Sequence, residues 1–168
     1  MTAPTATPSY LASTPALMGH LRRIWTYMWI GSTGIALFAM VRVAEPVESS
    51  RLFPDFANPQ HIAFTAVALI DFGMALFLPK LFLGALARMQ GKPDAEAQAR
   101  NTYFVSRMVS WTIALSITVM GMALTVFSHS NRIALPFLAL NWLSLLMNRA
   151  NESDFTNLLR KYRLTSSA

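Results

Sequence analysis

Apolar residues gather into four runs separated by polar stretches. They cover residues 24–43, 62–87, 104–127 and 133–147. A helix needs about 20 mostly apolar residues to cross the hydrocarbon of a bilayer, so the first three runs are long enough. The fourth is short, and a re-entrant or interfacial helix is its structural rival. The pattern predicts an all-α integral membrane protein, with four transmembrane helices in an up-down bundle. Residues 1–20, rich in Thr, Ser and Pro, read as a flexible arm, 21–150 as the membrane domain and 151–168 as a basic tail.

The connecting stretches carry their own signals. Between Ala44 and Gln60 lie Pro46, Pro54 and Pro59, a density that forbids a continuous helix. Leu52, Phe53 and Phe56 there would sit on the outer interface or on a partner. Asn58-Pro59 is suited to start the second helix, with the Asn side chain meeting a free amide. Glu45 and Glu48 are three apart, but Pro46 between them argues for a solvated loop. Further on, Gly91-Lys92-Pro93 breaks the chain. Asp94 then caps a new helix that AEAQAR carries into the third span. In the tail, Phe155, Leu158, Leu159 and Tyr162 fall at helical spacing, with Arg160, Lys161 and Arg163 on other faces. This short amphipathic helix is expected along the membrane surface or on a cytoplasmic partner, with a frayed basic end as the equal alternative.

Composition supports lipid as the solvent. Hydrophobic residues make up 54% of the chain and charged ones only 13%, too few charges to cover a small soluble domain. Disordered chains, basic nucleic-acid modules and most soluble enzymes are thereby excluded. With no Cys, disulfides and thiolate metal sites are excluded too. The net charge of +6 matters through its placement. Four spans with a cytoplasmic N-terminus put Arg22, Arg23, Lys80, Arg88, Lys92, Arg100, Arg107, Arg149, Arg160, Lys161 and Arg163 on one side. Only Arg42, Arg51 and Arg132 fall on the other, so the split is eleven to three. If the fourth run did not cross, four cations of the tail would change sides. Both termini are therefore expected in the cytoplasm, and the membrane is expected to be the bacterial inner membrane. The first run reads as an uncleaved anchor, because Arg42 occupies the minus-three place of its only plausible cleavage site.

Within this apolar frame a few polar residues stand out. Asp71 lies ten positions after His61, about 15 Å along a helix and close to the bilayer midplane. A carboxylate at that depth costs several kcal/mol, about enough to demand a proton or a partner. Ser32, Thr33, Ser116 and Asn141 lie midway along the other three spans and complete a polar layer with Asp71. The layer serves either a proton or cation relay or a ligand pocket. Alternatively, a protonated Asp71 holds the helices in register through hydrogen bonds. A pump needs a second ionisable group at similar depth, and the sequence has none.

Two further constellations have weaker spacing. His61 and His129 belong to one leaflet and could ligate a b-type haem axially, although His129 sits past its apolar run. Arg107 and Trp111 are four apart, so the guanidinium can stack on the indole. That pair suits either a lipid or quinone head group or an ordinary interfacial anchor. Nucleophile motifs, phosphate-binding glycine loops and paired catalytic carboxylates are absent from the sequence, so catalysis by this chain alone is not expected. Three functions remain. The first is a non-catalytic subunit that scaffolds or assembles a larger membrane complex, with the bilayer and other membrane subunits as partners and no nucleic acid. The second is an oligomeric transporter or ion channel using Asp71. The third is a haem- or quinone-binding anchor for electron transfer.

Overall fold

A computed structural model describes residues 8–42, 52–90, 92 and 94–164. The Glu45–Glu48 pair, Pro46 and Arg51 of the first loop, and Gly91 and Pro93 of the second, lie outside the described residues. Among those described, all regular structure is helical. Helix α1 runs Thr14–Arg42, α2 Pro59–Gly84, α3 Ala95–Ser128, α4 Ala134–Met147 and α5 Glu152–Lys161. Two short 3₁₀ turns, Ser9–Leu11 and Ala85–Met89, flank α1 and α2.

Three of these helical stretches are long and apolar enough to cross a membrane: Thr14–Arg42, Pro59–Met89 and Ala95–Ser128. Helix α4 is as apolar but has 14 residues. At 1.5 Å per residue that is about 21 Å, short of a hydrocarbon core of about 30 Å. Large apolar side chains point outward along the long helices, including Ile30, Leu37 and Phe38 on α1 and Ile70, Phe77 and Leu81 on α2. In water such a surface would drive association, whereas in lipid it is an ordinary outer face.

Helix α3 is the axis of the bundle. It packs against every other helix, and 44% of its most apolar stretch is buried, against 17% for α1 and for α2. The reason lies in small residues at the seams. Ala99, Ser106, Ser110, Ala114 and Gly121 are buried along α3 and let neighbouring backbones come close. Gly121 shows how close. A Cβ added there would stand 2.5 Å from the Cβ of Phe137 on α4, so no larger residue fits. Helix α4 lies beside α3 and touches both α1 and α2. Among the described residues α1 and α2 do not pack on each other, so they flank the α3–α4 pair.

Two apolar cores divide the bundle. One lies at the end carrying most of the cations and is built on Leu17, Leu21, Leu86, Tyr103, Trp111, Leu145 and Phe155. The other, at the far end, is built on Ala68, Ile117, Leu124, Ile133 and Phe137. Helix α1 reaches ten residues before its apolar run, because Leu17, Met18 and Leu21 bury their side chains in the first core. The expected caps are partly realised. Asn58 accepts the amide of Gln60 ahead of Pro59, whereas Asp94 precedes α3 without a side-chain cap bond.

Candidate functional site

The polar layer expected at mid-bundle exists as a level, but it is not one network. Contacts between Gly121 and Phe137 and between Trp111 and Asn148 set α3 and α4 antiparallel. That register brings Asn141 opposite residues 117 and 118. Trp29 stacks on Trp142 at 5.0 Å, so Ser32 and Thr33 fall within about one turn of the same depth. Asp71 reaches α3 there too, accepting a hydrogen bond from the Ser116 hydroxyl at 2.5 Å. Ser116 Oγ also lies 2.6 Å from the carbonyl of Ile113. A hydroxyl carries one proton, so it donates to only one of these acceptors at a time.

The remaining members of the layer are not joined to Asp71. Ser32 and Thr33 donate back to the carbonyl of Trp29 in their own helix, at 3.1 and 2.8 Å. Asn141 is fully buried, yet neither atom of its amide has a hydrogen-bond partner among the described residues. Thr118 and Ser144 are likewise buried with unpartnered hydroxyls. Burying polar atoms without partners is costly, more so in a low-dielectric interior.

Arg107 and Trp111 both turn inward. Trp111 is fully buried, and its indole N–H donates to the Asn148 carbonyl at 3.1 Å. Arg107 aims a guanidinium N–H at the same carbonyl at 3.4 Å and lies over the ring of Tyr103, 4.9 Å from its centre, instead of over the indole. The two side chains thus close the carboxyl end of α4, where free carbonyls and the helix dipole attract donors and cations. Arg107 is 8% exposed, and among the described residues its Nε has no hydrogen-bond partner and no carboxylate pairs with it.

The histidines occupy different settings. His61 is buried at the start of α2, and its Nδ1 accepts the backbone amide of Asp55 at 2.8 Å. His129 is exposed at the end of α3, in the left-handed conformation with φ 53°. No bond or ring contact joins the two. Among the described residues no group of three or more His, Asp or Glu is placed to hold a metal ion.

The tail helix finds its apolar partner within the chain. Asn151 caps α5 through Ser153, and Phe155 is buried with its ring 5.0 Å from that of Tyr103. The Tyr103 hydroxyl meets the amide of Asn151 at 3.3 Å. Part of this apolar face, Phe155 and Leu159, thus packs on the chain's own core, with α5 against α1 and α3.

Sequence reading missed two backbone acceptors. One is the Asn148 carbonyl described above. The other is the carbonyl of Ala75, four residues before Pro79 in α2, which receives the Ser110 hydroxyl at 2.6 Å. Proline has no N–H, so this carbonyl has lost its intrahelical partner and α3 supplies another. A proline inside an apolar run facing a helix with buried serines is the only sequence signal for it. Comparison with known protein families, with characterised proteins and with solved structures finds no match to this chain.

Proposed function

We propose that the chain is a small, non-catalytic integral membrane subunit that scaffolds or assembles a larger membrane complex. In this reading all four helices α1–α4 span the bacterial inner membrane, with both termini in the cytoplasm. The observation that carries it is the setting of Asp71. The carboxyl is only half-buried by its own chain, has one hydroxyl for a partner, and sits beside the outward-facing Ile70 and Met74. Carboxyls at mid-membrane face protein or water in place of lipid, so a neighbouring helix is the natural cover. Gly31 and Gly34 on the exposed side of α1 add support, since none of the described residues stands against them. Small residues on an open helix face are suited to close helix association.

The test is photocrosslinking in intact membranes, from probes placed at Gly31 and at Ile70. Expected are adducts with another integral membrane protein from both positions. Adducts with lipid alone would contradict the reading. The same half-exposed carboxyl favours, second, an oligomeric proton or cation path through Asp71. Flux in proteoliposomes that is indifferent to Asp71→Asn removes that reading.

A further inference from the structure

At the cation-rich end, α1, the last turn of α4 and the first turn of α5 enclose a cleft of about 560 Å³. Arg22 and Arg149 line it together with Glu152 and Asp154. All four are exposed, and no ion pair or hydrogen bond joins these opposite charges to one another. Its apolar wall is Leu146 and Met147, which are 52% and 60% exposed and continue onto the outer face of α4. Arg149 is held in place over the ring of Trp25, 5.5 Å from its centre.

We propose that this cleft binds a phospholipid whose head group carries a phosphate, a primary ammonium and no further charge, that is, phosphatidylethanolamine. The inference rests on the membrane-embedded reading of the chain, with this end at the bilayer surface. The phosphate is met by the two guanidiniums, which offer planar, charge-assisted donors. The ammonium is met by Glu152 and Asp154, and the acyl chains follow Leu146 and Met147 along α4. A purely anionic head group would face the two carboxylates. A choline head group has no N–H to donate to them. The unpaired charges of both signs in one cleft are what single out a zwitterion.

The test uses the full purified chain in detergent, with native mass spectrometry of bound lipid. Phosphatidylethanolamine, phosphatidylcholine and phosphatidylglycerol are added at equal concentration. Expected is a preference of about tenfold for phosphatidylethanolamine over each of the others, the scale of one charge-assisted hydrogen bond. Glu152→Gln with Asp154→Asn is expected to abolish the preference over phosphatidylcholine and leave lipid binding itself. Arg22→Gln with Arg149→Gln is expected to weaken binding of both lipids by about tenfold. All four residues are exposed, so unchanged thermal unfolding verifies that the variants remain folded. Equal binding of the three lipids, a preference for phosphatidylglycerol, or a preference that survives the carboxylate variant would overturn the proposal. A chain that runs alone in detergent bears on the proposed function and not on this one.

Discussion

Ser110 of α3 completes the hydrogen bond that Pro79 removes from α2. Its hydroxyl stands 2.6 Å from the Ala75 carbonyl, the acceptor that the missing proline N–H would have served. A break in one helix is thus repaired by its neighbour, and the repair fixes the register of the α2–α3 seam. Asp71 and Ser116 hold the same seam about one turn further along.

Removing the repair has a measurable cost. Ser110→Ala leaves a buried carbonyl unpaired and is expected to destabilise the chain by about 1–3 kcal/mol. In a Pro79→Ala background, where the helix regains its own N–H, the same change is expected to cost under about 0.5 kcal/mol. Thermal or denaturant unfolding of the four proteins of this cycle gives the coupling.

The Asp71–Ser116 pair distinguishes two conservative changes. Asp71→Asn keeps a side chain able to donate to the Ser116 oxygen, so its cost is expected to stay below about 1 kcal/mol. Ser116→Ala strands the half-buried carboxyl and is expected to cost about 1–3 kcal/mol. Unfolding in detergent micelles separates them.

At Gly121 the constraint is contact with a β-carbon. Gly121→Ala is expected to lower stability by about 1–3 kcal/mol through overpacking. Phe137→Leu is not expected to restore it, because the nearest colliding atom is the Cβ of residue 137, which leucine keeps together with a Cγ. Recovery in Gly121→Ala with Phe137→Leu would show that the two helices shift freely.

Asn141 invites the opposite outcome. The described residues offer its fully buried amide no hydrogen-bond partner, so Asn141→Leu, which keeps the volume and removes the polar atoms, is expected to unfold at the same temperature or higher. A loss of more than about 2 kcal/mol would mean that ordered water or a ligand pairs the amide in the folded protein.

The docked tail is open to hydrogen exchange. With Phe155 buried against Tyr103, the amides of residues 156–161 are expected to be protected. Phe155→Ala is expected to release that protection while leaving α3 protected around Ala114.

Much of the architecture was legible because bilayer-length apolar runs announce themselves. Among the described residues the runs from Ile24, Ile62, Phe104 and Ile133 are almost wholly helical, and the tail helix formed where Phe155, Leu158 and Leu159 were spaced for one. Extent was less legible. Helix α1 continues back to Thr14 through Leu17, Met18, Gly19 and His20, too mixed a stretch to register as an apolar run. The depth of the polar groups could be counted along the sequence, and the register puts them at one level. Their partners could not be counted, because Ser110, Arg107 and Trp111 pair with main-chain carbonyls that every residue possesses. Nor does order along the chain reveal that α1 and α2 stand apart on either side of α3 and α4.

The proposed role is tested most directly by the mass of the particle that carries this chain when native membranes are extracted into lipid nanodiscs. Expected is a particle whose mass beyond lipid and scaffold is well above the 18.6 kDa of the chain and consists of other integral membrane proteins in fixed proportion. A particle holding this chain alone with lipid, as monomer or homo-oligomer, would contradict it.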